Sequence, residues 1–156
     1  TDQLTDLYNR RYFYEYMTRN KIMSKHVNLF YIDLDNFKKI NDEYGHQAGD
    51  TVLVMVAKLL KQTFGAEFIA RVGGDEFLAV VLGLKTDAEL AILAERFLNS
   101  LQQTIADNAK FAVLSASIGI AVSNALTDVD LLIRQSDSAL YEAKRNGKKQ
   151  YKIYHK

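Results

Sequence analysis

A pair of adjacent glycines between two apolar runs is the feature that most constrains the fold of this chain. The runs cover residues 67–70 and 78–82, and Gly73 and Gly74 lie between them. Glycine adopts positive φ angles without steric cost, and a tight connection between antiparallel strands often needs such an angle. The pattern therefore predicts a β-hairpin.

Two acidic residues, Asp75 and Glu76, follow the glycines directly. Acidic residues are poor strand formers, so their position at the start of the returning strand needs an explanation. A metal ion bound at the edge of the sheet is one explanation. A structural hairpin with a solvated acidic tip would show the same pattern, and the hairpin alone does not favour either interpretation.

A second group of acids follows another apolar run. Residues 27–33 are predicted to form a short buried strand that brings Asp33 and Asp35 to its C-terminal end. If this strand neighbours the hairpin, Asp33 comes within metal-bridging distance of Asp75 and Glu76. Carboxylates without His or Cys suit Mg²⁺ or Mn²⁺, and such sites serve phosphoryl or nucleotidyl transfer. For Asp35, the N-cap of a following helix is an equally good interpretation.

The composition fits a single folded domain over residues 1–156, with 48% hydrophobic and 25% charged residues. A net charge of +1 gives no general attraction to nucleic acid or to a membrane, and no apolar run is long enough to span a bilayer. The absence of Cys excludes disulfides and fits a cytoplasmic location. Because the chain begins with Thr1, we expect a longer protein, with or without a membrane anchor elsewhere.

The remaining elements alternate between helices and strands. Hydrophobic periodicity predicts helices at residues 10–23, 37–44, 50–63, 86–103 and 128–145, and strands at 111–123 and 151–154. Thr86 and Glu89 form a capping pattern, and Gly119 is expected to mark a bend or bulge. A hairpin combined with long crossovers predicts an α+β fold of ferredoxin-like type, with helices packed on a mainly antiparallel sheet.

Several separated motifs resemble one known family. Residues 73–77 read GGDEF, the signature of diguanylate cyclases, and the resemblance covers essentially the whole chain. The other matching segments are residues 2–5, 9–11, 33–42 (DLDNFKKIND), 45–46, 49–50, 117–119 and 137–144. The resemblance implies a nucleotidyl cyclase palm-like sheet and an enzyme that condenses two GTP into cyclic di-GMP and two pyrophosphates.

The resemblance also implies roles for the acids. Asp33, the main-chain carbonyl of Leu34, Asp75 and Glu76 match the family's ligands for Mg²⁺ or Mn²⁺, with two ions expected per active site. Asp75 also matches the proposed general base, which takes the proton from the attacking 3′-hydroxyl. Since each domain binds one GTP, two domains must meet as an antiparallel homodimer.

Two polar residues match the family's positions for binding guanine, and a third matches another substrate position. A carboxylate at Asp50 can accept hydrogen bonds from guanine N1–H and N2–H₂ together, and Asn41 offers both a donor and an acceptor. Asp50 also falls at a predicted helix start, where the helix dipole favours an acid for structural reasons alone. His46 matches another substrate position, although a lone His in a loop is often simply solvated.

Five further residues match the phosphate positions. Lys38 corresponds to the stabiliser of developing charge, and the N–H groups of Asn36 and Phe37 lie at a predicted helix start that can bind phosphate. Lys144 and Lys148 match further phosphate contacts. A lysine in the last turn of a helix is, however, what the helix dipole alone would favour.

The chain departs from the family pattern at two places. Residues 64–67 (FGAE) replace the Arg-x-x-Asp motif of product inhibition, and Phe cannot provide the bidentate guanidinium, so we predict that the primary inhibitory site for cyclic di-GMP is absent. Residues 148–150 (KKQ) stand where the family more often has Arg-Asn. This change keeps the charge but loses bidentate geometry, and it predicts weaker phosphate binding.

A catalytically silent GTP-binding module that controls an attached output domain is the alternative function. The three acids of the metal site are all present, which favours the enzyme. No coiled-coil heptad or strong dimerisation patch is evident. We therefore expect a regulatory or sensor domain elsewhere in the protein to control the encounter of two domains, and no nucleic-acid partner.

Overall fold

The secondary structure is described by a computed structural model for residues 1–19, 21–65 and 67–155. The strands are β1 (Tyr8–Asn9), β2 (Val27–Asp35), β3 (Phe68–Arg71), β4 (Glu76–Leu82), β5 (Ser115–Val122) and β6 (Tyr151–Ile153). The helices are α1 (Arg10–Thr18), α2 (Phe37–Tyr44), α3 (His46–Phe64), α4 (Asp87–Ile105) and α5 (Val129–Arg145). These strands form one sheet in the order β1-β3-β4-β2-β5-β6.

The central strand β2 pairs antiparallel with both β4 and β5. Strands β3 and β4 are also antiparallel, whereas β1 and β6 run parallel to β3 and β5 at the two edges. From β2 to β5 the chain therefore follows the β-α-β-β-α-β pattern of a ferredoxin-like sheet, with two helices in its first crossover. The predicted α+β class and mostly antiparallel sheet are confirmed.

Alternating side chains of β2 face two separate cores. Phe30 and Ile32 pack with residues of α2, α3 and α4. Leu29 and Tyr31 face the opposite side, where α1 and α5 cover the sheet. Because side chains alternate along a strand, Asp33 lies on the side covered by α5. The two-sided core explains why β2 is buried along its entire length.

The first helix is shorter than predicted. Residues 10–23 were expected to be helical, but α1 ends at Thr18 and Arg19 is extended, with φ −90° and ψ 161°. The Thr18 hydroxyl donates to the carbonyl of Glu15, and such side-chain bonds compete with helix continuation. A short 3₁₀ helix, Ile22–Ser24, follows instead.

The strand predicted for residues 111–123 is also shorter. A 3₁₀ helix occupies Ala109–Phe111, and β5 begins at Ser115. Gly119 makes no bend or bulge, because it keeps regular pairing with both neighbouring strands. A Cβ at this position would lie 2.0 Å from the carbonyl oxygen of Ser136, so the glycine allows α5 to pack directly on the sheet.

The predicted hairpin is confirmed, but not the predicted reason for its glycines. The N–H of Val72 donates to the carbonyl of Glu76 at 2.9 Å across the turn. Neither Gly73 nor Gly74 has φ in the left-handed range. Instead, a Cβ on Gly73 would lie 2.7 Å from Oε1 of Glu76, so a larger residue here would displace the end of the Glu76 side chain.

Other elements agree more closely with the sequence. The capping box of Thr86 and Glu89 is present at the start of α4, and β6 extends the sheet next to β5. Helix α3 begins at His46, four residues before the predicted start. Of the helices in the described part of the chain, none is long and apolar enough to cross a lipid bilayer.

Candidate active site

The C-terminal end of β2 lies beside the turn of the hairpin. Asp33 is the cross-strand partner of Glu76, and the N–H of Leu34 donates to the carbonyl oxygen of Asp75 at 3.1 Å. The two acidic segments are 40 residues apart in sequence and meet because β2 and β4 are neighbours. The predicted convergence of the strand end and the hairpin is therefore confirmed.

Asp33 is a buried carboxylate with one free oxygen. It is 8% exposed, and Nζ of Lys144, in the last turn of α5, donates to its Oδ2 atom. Its Oδ1 atom is buried and has no hydrogen-bond partner. Burial raises the pKa of Asp33, while the hydrogen bond from Lys144 opposes that shift. An unpartnered buried oxygen is costly unless a further ligand binds it.

The two acids of the hairpin have different surroundings. Asp75 is partly exposed, and burial, followed by the charge of Glu76, raises the pKa of its carboxyl group. The hydroxyl of Tyr31 donates to Oε1 of Glu76 at 3.3 Å. Burial, and then the negative charge of Glu76, raise the pKa of Tyr31, so this phenol stays a hydrogen-bond donor.

Metal binding is consistent with the oxygen atoms present here. Among residues 1–19, 21–65 and 67–155, no three His, Asp or Glu side chains already form a group that could hold an ion. The atoms that β2 and the turn supply are nevertheless hard oxygens, and one of them, Oδ1 of Asp33, lacks a partner. Such a donor set fits Mg²⁺ or Mn²⁺.

Arg71 holds the hairpin turn, a role that the sequence analysis missed. Its Nη1 atom lies 3.1 Å and 3.2 Å from the two carboxylate oxygens of Asp2. Its Nε and Nη2 atoms donate to the carbonyls of Gly73 and Gly74, immediately before Asp75. The signal in the sequence was an arginine next to the turn, but its partner lies 69 residues away.

A cavity of about 450 Å³ opens beside this turn. Most of the predicted phosphate and metal residues line it, together with three that were not predicted to face substrate. The lining residues are Leu34, Asp35, Asn36, Phe37, Lys38, Lys39, Asp42, Asp75, Lys144 and Lys148. Four lysines at one cavity make it suitable for a polyphosphate.

The start of α2 forms one wall of the cavity. Asn36 precedes the helix with φ 65°, and no side chain caps the first turn. The Asn36 amide instead donates to the carbonyl of Val113 at 2.8 Å. Uncapped N–H groups at a helix start are suited to binding an anion. Lys38, in the first turn, is highly exposed, and its Nζ atom lies 3.5 Å from Oδ2 of Asp42.

Asp35 is not the N-cap that was considered for it. The structure assigns that position to Asn36. The Asp35 side chain points into the protein and accepts hydrogen bonds from the hydroxyls of Ser115 and Ser117 and from the N–H of Lys149. The interpretation as a cap was wrong because these donors lie about 80 residues or more further along the chain.

The predicted guanine residues do not line this cavity. Asn41 packs against Gly49, where a Cβ would lie 1.9 Å from the Oδ1 atom of Asn41, so the glycine leaves room for this side chain. Asp50 is the fifth residue of α3 and not its start, and it lines a separate groove of about 630 Å³ that also includes Leu4. His46 is exposed at the first position of α3.

The residues in place of the inhibitory motif are only partly described. Phe64 is 5% exposed, and its ring packs against Phe30 with centroids 5.0 Å apart. A buried ring in the core cannot contact a ligand at the surface. Ala66, within the same four residues, lies outside the described part of the chain. The absence of the primary inhibitory site stays a prediction.

Comparison with known proteins places these features in a family. The family model described as diguanylate cyclase, GGDEF domain, matches residues 1–150. The diguanylate cyclase DgcP of Escherichia coli is 38% identical over 96% of this chain, which spans 46% of DgcP. The signaling protein YkoW of Bacillus subtilis is 38% identical over 98% of the chain, which spans 20% of YkoW.

Solved structures share the fold. The coiled coil and GGDEF domain of DgcB from Caulobacter crescentus, in complex with c-di-GMP, matches with a TM-score of 0.88 and 26% identity, covering 98% of this chain and 84% of that one. The active GGEEF domain of a diguanylate cyclase from Vibrio cholerae matches with a TM-score of 0.79 and 32% identity, covering 97% and 99%.

Proposed function

Because the chain belongs to the GGDEF domain family of diguanylate cyclases, we propose that it condenses two GTP into cyclic di-GMP. Each 3′-oxygen attacks the α-phosphorus of the other GTP, and the bond between the α- and β-phosphates breaks. Two pyrophosphates leave with the bonding electron pairs, and two phosphodiester bonds form. The 3′-hydroxyl proton passes to a base on the protein.

Asp33, the carbonyl of Leu34, Asp75 and Glu76 are the proposed ligands of Mg²⁺ or Mn²⁺, with two ions per site. The unpartnered Oδ1 of Asp33 supports this assignment. When bound, such ions acidify the attacking hydroxyl and neutralise charge on the phosphates. Lys144 balances the charge of Asp33 from the side of α5.

Asp75 is the proposed general base. It lies at the cavity, and burial raises the pKa of its carboxyl group, which makes it a better proton acceptor than an ordinary Asp. Glu76, the next residue, accepts a hydrogen bond from the hydroxyl of Tyr31. The hairpin turn thus supplies the general base, Asp75. Glu76, the first residue of β4, lies directly beside it.

The phosphates of GTP are proposed to bind in the 450 Å³ cavity. The N–H groups of Asn36 and Phe37 at the start of α2 bind the terminal phosphates, and Lys38 stabilises the charge that develops on the leaving group. Lys144 and Lys148 contact the phosphates from the other side. Because Lys148 offers a point charge without bidentate geometry, we expect modest phosphate affinity.

Guanine recognition is assigned to Asn41, which packs against Gly49, and to Asp50, the residue after that glycine. Asp50 accepts from N1–H and N2–H₂ of guanine, and adenine lacks this donor pair. His46 is a further proposed contact on the substrate side. This arrangement selects GTP over ATP.

Cyclisation requires a second copy of the domain, because each copy binds one GTP. We propose an antiparallel homodimer that a regulatory or sensor domain of the same protein controls. Two related structures support control from outside the domain. One, DgcB, includes a coiled coil with its GGDEF domain, and the other, the diguanylate cyclase SiaD of Pseudomonas aeruginosa, is in complex with its activator SiaC.

The observation that carries the proposal is the meeting of Asp33 with the hairpin turn beside a cavity lined by lysines. The test is to incubate the purified domain at high concentration with GTP and Mg²⁺ and to separate the products by chromatography. We expect cyclic di-GMP and pyrophosphate in a ratio of about one to two. Asp75→Asn should slow the reaction by about 100-fold or more, as expected for loss of a general base.

Asp107→Asn is the matched control, because Asp107 is exposed in the loop after α4 and should leave the rate unchanged. The same assay is repeated on the domain fused to a dimeric coiled coil, so that weak dimerisation cannot hide activity. If the fused domain binds GTP but forms no product, the enzyme proposal is wrong. The silent GTP-binding module would then be the better description.

A further inference from the structure

The carboxylate of Asp35 is buried and fully engaged at the edge of the cavity. Asp35 is the last residue of β2 and is 2% exposed. Its Oδ1 atom accepts from the hydroxyl of Ser117 at 2.8 Å, and its Oδ2 atom accepts from Ser115 at 2.7 Å and from the N–H of Lys149 at 3.1 Å. The last of these bonds joins the central strand to the loop after α5.

That loop has an unusual backbone. Lys148 and Lys149 are consecutive residues with φ of 64° and 54°. These values lie in the left-handed region, which residues other than glycine rarely adopt. Such a conformation persists only when surrounding contacts enforce it. The N–H of Lys148 donates to the carbonyl of Ala143, which ties the loop to its own helix. The bond from Lys149 to Asp35 ties it to the sheet.

We propose that Asp35 is a positioning residue: its hydrogen bond from the N–H of Lys149, called the latch below, holds this loop so that Lys148 faces the phosphate cavity. The inference rests on the proposed function, since it assumes that the cavity takes the phosphates of GTP. Lys148 and Asp35 line the same cavity, and the latched residue is the next one along the chain. Asp35 itself needs no contact with the nucleotide, because its oxygens are occupied by three donors.

The latch needs an acceptor at the Oδ2 position of Asp35, because the backbone N–H of Lys149 can only donate. The hydroxyls of Ser115 and Ser117 can donate or accept, so an asparagine keeps all three contacts when its NH₂ group faces Ser117. Asp35→Ala removes the acceptor and therefore breaks the latch.

A purely structural tie between β2 and β5 would have different consequences. The bonds to Ser115 and Ser117 serve that purpose, and their loss would lower stability without distinguishing one nucleotide from another. A latch on Lys148 affects only ligands whose phosphates reach that lysine. The difference between a triphosphate and a monophosphate therefore separates the two explanations.

The test measures affinity for 3′-deoxy-GTP, which lacks the attacking hydroxyl, and for GMP, on the folded domain. We expect Asp35→Ala to weaken 3′-deoxy-GTP binding about tenfold, the loss that follows from removing one charge-assisted hydrogen bond to a phosphate. GMP binding should stay within about twofold by the same reasoning. Lys25→Ala, at an exposed lysine remote from the cavity, is the control for charge alone.

A double-mutant cycle supplies the decisive comparison. Lys148→Ala should weaken 3′-deoxy-GTP binding about tenfold in the wild type but have almost no further effect in Asp35→Ala. Independent, multiplicative losses would overturn the proposal, as would equal losses for GMP and the triphosphate. If the wild type binds no triphosphate, the proposed function fails instead.

Hydrogen exchange of the wild-type protein tests the latch even if Asp35→Ala does not fold. Lys149 is an exposed loop residue, yet its amide N–H donates to a buried carboxylate. We expect it to exchange much more slowly than the amide of Asp107, in another exposed loop. Equal exchange rates would show that the latch does not form.

Discussion

Two loops flank the candidate site, and they are held in opposite ways. The hairpin turn, residues 72–75, is gripped by the Arg71 guanidinium, whose side chain is 18% exposed and pairs with Asp2. The loop after α5, residues 146–150, is held by the buried carboxylate of Asp35. One loop thus depends on a cation and a segment near the start of the chain, and the other on an anion in the central strand.

The difference indicates where each loop is open to influence. A partly exposed ion pair is weakened by solvent and salt, so the turn that bears Asp75 responds to changes in the segment around Asp2. Asp35 and its serine partners are enclosed by the sheet. We therefore expect the phosphate side of the site to be rigid and the catalytic turn to be the adjustable side.

The largest effect is expected from breaking the support of the loop after α5. In Gly119→Ala, the new Cβ would lie 2.0 Å from the carbonyl of Ser136 and 2.3 Å from the N of Leu140. These backbone atoms belong to α5 and cannot shift without the helix, so α5 must move away from the sheet. We expect the free energy of unfolding to fall by about 3 kcal/mol or more. Urea denaturation measures this loss. Gly74→Ala, which has open space, should cost far less.

The next effect concerns the turn. Arg71→Ala removes the bonds to Asp2 and to both glycine carbonyls. We expect the free energy of unfolding to fall by about 1–3 kcal/mol. Displacement of Asp75 by about 1 Å should reduce cyclic di-GMP formation about 100-fold. An equal rate of cyclic di-GMP formation in Arg71→Ala and in the exposed-site control Arg96→Ala would show that the turn keeps its position without Arg71.

Asp2→Asn sharpens the comparison through pH. Partial burial favours the neutral acid, but the bonds from Thr5 and the charge of Arg71 outweigh it and lower the pKa of Asp2 from 3.8. A lowered native pKa contributes stability above the ordinary pKa, and this contribution is lost as pH falls through the native value. Because the pair is partly exposed and therefore screened by solvent, we expect at most about 1 kcal/mol.

Acid titration of stability, followed by circular dichroism, checks this expectation. The wild type should lose stability relative to Asp2→Asn as pH falls below 3.8. Above that value the difference should be constant. A difference that persists unchanged at the lowest pH would mean that the charge of Asp2 does not contribute.

The smallest effect is expected at the strained loop. Lys149→Gly removes the steric cost of the left-handed φ at this residue, which is about 1 kcal/mol or more for a lysine. This gain offsets the usual entropic cost of glycine. We therefore expect almost no change in the free energy of unfolding. Lys58→Gly, inside α3, should cost about 1 kcal/mol. Equal losses would show that the loop is not strained.

The sequence predicted the site where it depends on strand order and local pattern. The acids at the end of β2 and after the glycines were expected to meet, and Asp33 does face Glu76. Hydrophobic alternation determines which side of a buried strand each residue occupies, so this part follows from residues 27–35 and the hairpin. The sequence motifs alone therefore predicted that these acids converge.

The contacts that hold the loops could not be predicted in the same way. Asp35 and Arg71 act through partners 80–114 and 69 residues away, and no local pattern specifies those pairings. The reason predicted for Gly73 was also wrong, because its φ is not positive and a Cβ there would meet the Glu76 side chain. Local conformational rules therefore identified the turn but not what keeps it in place.

The most direct test of the two-loop site is a steady-state comparison of the wild type, Asp75→Asn and Asp35→Ala with GTP and Mg²⁺. We expect the wild type to form cyclic di-GMP and Asp75→Asn to lower kcat by about 100-fold or more. Asp35→Ala should raise KM about tenfold while kcat stays within about threefold. No product from the wild type, or the same parameter changed equally in both variants, would contradict this division of roles.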